Sequence, residues 1–138
     1  MDGSAASFVP RARHRDGLVT DLADTMTPRE IAVQAANAIR VLNELTTGDG
    51  ELSGPLDVSD IVASLELIGH SLPQLCEQLA RFLVVQHEDG QLRHGAGLDP
   101  DTTVTEVIEA LAAAGQAADM MTAALTEARA TSEVLARK

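Results

Sequence analysis

The chain has 138 residues and a formal net charge of −11 at pH 7, from 21 acidic and 10 basic side chains. This charge is expected to repel nucleic-acid phosphates and anionic lipid headgroups, and no apolar run approaches the ~18 residues of a membrane span. With two Phe and neither Tyr nor Trp, the core must be aliphatic, which is typical of helix bundles and weak for sheets. The single cysteine, Cys76, excludes an internal disulfide and favours a reducing, cytoplasmic location.

Residues 1–26 are small, polar and mixed in charge, which predicts a flexible N-terminal arm without the apolar segment of a secretory signal. The arm contains the one basic patch of the chain, formed by Arg11, Arg13 and Arg15. These cations suit nucleic-acid phosphates, but three aspartates follow them closely and the chain has almost no aromatic side chains for base stacking. DNA contact through the arm is therefore an alternative hypothesis rather than the main one.

The first helix is predicted over residues 28–46. Thr27 is placed to cap it, Pro28 suits its first position, and Glu30 can complete a capping box. Apolar residues then recur at steps of four and three, which predicts a core-facing seam. This first seam consists of Ile31, Ala35, Ala38, Leu42 and Leu45.

The second helix is predicted over residues 58–88, with Asp57 as its N-cap. Its apolar seam follows the same steps of four and three and consists of Ile61, Leu65, Ile68, Leu72, Leu75, Leu79, Phe82 and Gln86. Such regular spacing over several turns predicts a helix that packs against a neighbouring helix.

Pro73 interrupts this second helix and allows two interpretations. It removes one backbone hydrogen bond and crowds the carbonyl of Gly69. The seam nevertheless keeps its phase through the proline, which favours one long helix that bends at the glycine. Ser71 and Gln74 instead resemble a second capping box, which would make two helices joined by a tight corner.

The third helix is predicted over residues 100–136, with Asp99 as its N-cap. Its seam consists of Val107, Leu111, Ala114, Ala118, Met121, Leu125, Ala128, Ser132 and Leu135. Together the three patterns predict an all-α, antiparallel three-helix bundle in which residues 27–138 form one helical domain.

The predicted helix lengths are unequal, and this carries the functional prediction. At 1.5 Å per residue the helices are roughly 28, 45 and 55 Å long, so part of the second and third seams lacks a partner inside the chain. We therefore expect homo-oligomers; a monomer whose third helix frays or kinks at Gly115 is the alternative. The candidate interaction residues are Leu65, Leu72, Leu79, Phe82, Leu111, Ala118, Met121 and Leu125.

No residue pattern predicts catalysis, a metal or a cofactor. His87 and His94 flank two acidic residues but form neither an HExxH pattern nor a Cys/His pair. Cys76 has no base at nucleophile spacing and is expected to be a small buried side chain. Glycine-rich phosphate loops and the strands that would carry them are both missing from the sequence.

Three motifs resemble those of small uncharacterised helical proteins from actinobacteria. The matching residues are Ala38, Ile39, Arg40, Leu42 and Asn43; Pro55, Asp57 and Val58; and Leu72, Pro73, Gln74, Gln78 and Leu79. The resemblance covers roughly residues 30–136 and implies a helical fold without implying an activity.

The functional prediction is a non-enzymatic protein–protein interaction module, an adaptor or accessory subunit in the cytoplasm. It would self-associate through its helical seams and bind a further protein whose identity the sequence does not give. The alternative is a regulatory or mobile-element accessory protein that contacts DNA through the arginine-rich arm. Deletion of residues 1–26 separates the two, because only the DNA hypothesis predicts a loss of salt-sensitive DNA binding.

Overall fold

The protein is described by a computed structural model, which covers residues 22, 24–48, 52–92 and 99–136. The described residues contain three long helices, α1 (Pro28–Leu45), α2 (Pro55–Glu88) and α3 (Pro100–Ala136), and no strand. This confirms the all-α, three-helix prediction. Residues 22, 24 and 25, at the end of the predicted arm, are also helical. Arg11, Arg13 and Arg15 lie outside the described residues, as does most of the predicted arm.

The chain divides into two compact units, Met1–Glu51 and Leu52–Lys138. The first unit contains α1, and the second contains α2 and α3. The boundary lies within the predicted helical domain, residues 27–138.

Helix α1 begins with the predicted capping box. The Glu30 amide donates to Thr27 Oγ1 at 3.1 Å, and the Thr27 amide donates to Glu30 Oε1 at 2.9 Å. Each side chain therefore satisfies one backbone donor that the first helical turn would leave without a partner. The helix ends at Leu45, and the Thr46 amide donates to the Leu42 carbonyl.

Helix α2 begins three residues earlier than predicted, and Asp57 is not its N-cap. Gly54 occupies that position, and Pro55 is the first helical residue, where a missing amide proton costs nothing. Asp57 instead lies in the first turn and accepts hydrogen bonds from the amide and the hydroxyl of Ser53, both at 2.7 Å. These bonds to the charged form lower the pKa of Asp57, the backbone amide having the larger effect.

Helix α2 then continues through Pro73 without a break, which decides between the two interpretations of the sequence. Ser71 does not cap a second helix, because its hydroxyl donates to the Leu67 carbonyl at 3.0 Å in the same helix. Helix α3 begins at Pro100 as predicted, and the Thr103 amide donates to the Asp99 carbonyl.

Helices α2 and α3 pack against each other as an antiparallel hairpin. Their contacts run in opposite directions along the two helices, with Glu66 against Arg129, Gly69 against Thr122, Pro73 against Gly115 and His87 against Asp101. The two buried apolar residues in the described part of the chain, Val104 and Ala118, both belong to α3.

The residues of α2 that face α3 are mostly small or polar and follow steps of three and four. This inner row consists of Ser59, Val62, Glu66, Gly69, Pro73, Cys76, Ala80, Leu83 and His87. The inner row of α3 consists of Val104, Ile108, Leu111, Gly115, Ala118, Thr122, Leu125, Arg129 and Ser132. Small residues let the two backbones approach closely, so that a Cβ added at Gly69 would overlap Thr122 Oγ1.

Candidate functional site

The predicted interaction residues of α2 do not face α3. Leu65 and Leu72 are half-buried at the edge of the contact, whereas Leu79 and Phe82 are 49% and 61% exposed. Each of these residues precedes a member of the inner row by one position, which turns it about 100° around the helix axis. The predicted seam of α2 is therefore an outer row beside the contact and not the contact itself.

The predicted interaction residues of α3 divide between the two rows. Leu111, Ala118 and Leu125 belong to the inner row, and Ala118 is one of the few buried apolar residues in the described part of the chain, at 6% exposure. Met121 precedes Thr122 of the inner row and is 42% exposed. The structure thus places three of the four residues in the inner row. Met121 lies at the edge of the contact, partly exposed, with its Cε 3.1 Å from where a Cβ on Gly69 of α2 would be.

The outer rows of the two helices lie on the same side of the hairpin. Each outer row precedes its inner row by one position, so both are rotated in the same sense about their own helix. Because α2 and α3 run in opposite directions, equal rotations turn both rows to one side. These rows form a single surface, called here the apolar face.

The apolar face is large on its α2 side and small on its α3 side. Its α2 row consists of Val58, Ile61, Leu65, Ile68, Leu72, Leu75, Leu79, Phe82 and Gln86. Its α3 row consists of Thr103, Val107, Ala110, Ala114, Ala117, Met121, Ala124, Ala128 and Thr131. Neither row contains a charged residue, although the chain has 31 charged side chains, 21 acidic plus 10 basic.

The opposite side of the hairpin carries charged side chains. The residues that follow each inner-row position by one include seven charged side chains: Asp60, Glu77, Arg81, Glu88, Glu109, Asp119 and Glu133. Charge is therefore concentrated on one side and excluded from the other. Depletion of charge at an apolar centre is the compositional mark of protein interfaces.

A shallow groove of about 340 Å³ lies between the helices on the charged side. Gly115 and Ala80 line it together with Cys76, which is half-buried and free. None of the described residues that line the groove is a histidine. Glu77 also lines the groove, but its carboxylate forms an ion pair with Arg81 at 3.3 Å.

The described residues contain no group of three or more His, Cys, Asp or Glu arranged to hold a metal ion. His87 Nε2 lies 2.6 Å from Asp101 Oδ1, which joins the end of α2 to the start of α3. His94, the other member of the predicted histidine pair, lies outside the described residues.

One ion-pair network crosses the α2–α3 contact near the N-terminal half of α2. Arg129 donates from Nε to Glu66 Oε1 at 2.6 Å and from a terminal nitrogen to Glu133 at 3.2 Å, and Thr126 donates to the second oxygen of Glu66. The hydrogen bond from Arg129 holds the pKa of Glu66 below its usual value, and Thr126 adds to this effect. The same pairing raises the pKa of Arg129.

No protein-family model, curated protein or solved structure matches this chain. The resemblance to helical proteins of actinobacteria therefore stays a prediction. Across the part of the chain that the structure describes, no helix combines the length and the apolar character that crossing a membrane requires.

Proposed function

We propose that this protein is a non-enzymatic interaction module, an adaptor or accessory subunit that self-associates through the apolar face of the α2–α3 hairpin. One observation carries the proposal: two adjacent uncharged rows, one of them rich in Leu, Ile and Phe, lie side by side on the surface of a strongly acidic chain. A soluble monomer rarely leaves such a surface uncovered. The single cysteine supports a reducing compartment, which we propose is the cytoplasm.

The free energy available from the exposed apolar area is comparable with the cost of bringing two copies together. Val58, at the start of the face, is 40% exposed, and six further large side chains are each 39–61% exposed: Ile68, Leu75, Leu79, Phe82, Val107 and Met121. Covering the exposed half of such a side chain contributes roughly 1 kcal/mol, or about 12 kcal/mol for the six in each of two copies. Association costs on the order of 4–15 kcal/mol in lost translational and rotational freedom, so this area is of the size that association needs.

The test is the mass of the protein in solution, measured by light scattering across a concentration series. Leu75→Glu places a charge in the centre of the face, at a residue that is 48% exposed, and is expected to shift the protein to monomers. Leu67→Glu is the matched control, because Leu67 lies on the same helix, is 70% exposed and belongs to the charged side. This control is expected to keep the mass of the unaltered protein.

Two results would overturn the proposal. One is an unaltered protein that stays monomeric at every concentration. The other is a Leu67→Glu variant that dissociates as readily as Leu75→Glu, since the assembly would then not depend on the apolar face.

A further inference from the structure

We infer that the occupant of the apolar face is a second copy of this chain, which places its α3 across α2 of the first copy, so that two hairpins form a four-helix bundle. This inference rests on the proposed self-association and adds which helix meets which. Three features of the hairpin support it: the sizes of the side chains in the two rows, the positions of these side chains along the helix axis, and the area of the face.

The two rows of the apolar face differ in side-chain size. The α2 row has leucine, isoleucine or phenylalanine at seven positions, whereas alanine occupies five positions of the α3 row. Helices that meet through large side chains on both sides stay far apart, and alanine against alanine at that separation leaves a void. Large against small fills the space at the density of a protein core.

Two symmetric arrangements bring the faces of two hairpins together. A two-fold axis across the helices places α2 over the partner's α2 and α3 over the partner's α3. A two-fold axis parallel to the helices places α2 over the partner's α3, and adjacent helices still run antiparallel. Only the second arrangement sets each large row against a small one.

The two-fold axis parallel to the helices also fixes the positions along the helix axis at which residues of the two copies meet. Within one hairpin, Gly115 lies beside Pro73 and Cys76, since a Cβ built on this glycine would be 3.5 Å from Pro73 Cα and 3.9 Å from Cys76 Cβ. Rotation about an axis parallel to the helices leaves the position of each residue along the helix axis unchanged. Leu75 of one copy therefore meets the partner's Ala114, one residue before that glycine.

The face is large enough for a stable dimer. From Ile61 to Gln86 the α2 row extends over 25 residue-to-residue steps (86 − 61), which is roughly 37 Å of helix. Two helices side by side are about 20 Å wide, so the face measures on the order of 740 Å². A standard stable interface covers about 800 Å² on each partner.

Disulfide cross-linking between two different single variants tests this arrangement in the full chain. Leu75→Cys and Ala114→Cys are each made in a Cys76→Ala background, which removes the native thiol and keeps a small side chain in the inner row. The two proteins are denatured, refolded together and oxidised. Non-reducing electrophoresis measures the covalent dimers, and mass spectrometry of the linked peptides identifies the bond.

The expected result is a Leu75→Cys to Ala114→Cys dimer in yield on the order of ten-fold above that of either variant alone, because a disulfide forms only between Cα atoms less than about 7 Å apart. Leu67→Cys mixed with Ala114→Cys is the matched control and is expected to give no such product, since Leu67 lies on the charged side.

The outcomes separate the inference from the proposed function. A protein that assembles but cross-links mainly between two copies of Leu75→Cys overturns the arrangement of α2 over α3 and leaves self-association in place. A protein that assembles but gives only background cross-linking at both positions also overturns this arrangement. A chain that stays monomeric overturns both proposals, and the face would then belong to another partner.

Discussion

Gly69→Ala is expected to destabilise the α2–α3 hairpin, although it replaces a glycine in the middle of a helix. On an isolated helix the change is favourable by about 1 kcal/mol, because alanine loses less backbone entropy than glycine. In this structure the new methyl group would overlap Thr122 Oγ1 and lie 3.1 Å from Met121 Cε. The methionine tip can move, but the threonine hydroxyl is held by its hydrogen bond to the Ala118 carbonyl at 2.8 Å.

The structure sets the size and sign of the effect. Overpacking of this kind costs roughly 1–3 kcal/mol, and a rotation of Thr122 that relieves it also removes a hydrogen bond. After subtraction of the gain in helix propensity, a net loss of about 1 kcal/mol in the free energy of unfolding is expected. Gly115→Ala is the matched control, because its added Cβ would lie 3.5 Å from Pro73 Cα, which is ordinary contact. That variant is expected to gain about 0.5–1 kcal/mol.

Urea unfolding followed by far-ultraviolet circular dichroism measures both variants at one protein concentration. With a slope of roughly 1–3 kcal/mol per molar urea, opposite shifts of the midpoint are readily resolved. The double variant Gly69→Ala with Thr122→Ala is expected to recover most of the loss, because the overlapping atom is gone. If Gly69→Ala stabilises the protein as much as Gly115→Ala, the close approach of the two helices is refuted.

Two further predictions concern the same hairpin. Glu66→Gln keeps the shape of the side chain but removes the charge that pairs with Arg129. The pairing lowers the pKa of Glu66 in the folded state. The ion pair therefore contributes its full stability above the unfolded-state pKa of this carboxyl, and this contribution is lost as the pH falls through the lowered folded-state pKa. Urea midpoints of the variant and the unaltered protein should therefore differ at pH 7 and converge as the solution is acidified below the usual glutamate pKa, and parallel curves would contradict the role of the pair. Pro73→Ala restores an amide donor for the Gly69 carbonyl and keeps the Cα and Cβ atoms that lie beside Gly115. Thermal unfolding should therefore show stabilisation of about 1–3 kcal/mol. A loss of stability would mean that the proline ring itself is needed for packing.

The sequence predicted the helices well because local chemistry decides where they begin and end. Thr27 and Glu30 form a capping box wherever the following residues favour a helix, and the structure shows both of its hydrogen bonds. The unbroken phase of the apolar pattern also predicted continuity through Pro73, against the local signal from Ser71. Asp57 was misassigned because an acidic residue at N3 and an acidic N-cap look alike in a sequence, and Pro55 is the better marker of the first turn.

The sequence did not predict which row of α2 meets α3. A pattern search ranks rows by hydrophobicity, and the row with Leu72, Leu75 and Leu79 is the most apolar one. Side-chain size decided the contact instead, since Ser59, Gly69 and Ala80 let the helices come close. The sequence feature that indicates the contact row of α2 is the spacing of small residues at Ser59, Gly69, Cys76 and Ala80. Glu66 and Arg129, which fall on the two inner rows, indicate the same contact.

The hairpin thus uses one row of α2 within the chain and leaves the more apolar row beside it on the surface. Substitutions in these two rows are expected to affect different properties of the protein. Gly69 belongs to the inner row, so a methyl group there acts on the folding of a single copy. Leu75 belongs to the outer row, where a charge is still solvated in a single copy and is desolvated only when two copies meet. If the chain self-associates as proposed, folding and assembly are separable: Gly69→Ala is expected to change the unfolding free energy within each copy, whereas Leu75→Glu is expected to lower the mass in solution and leave the hairpin folded.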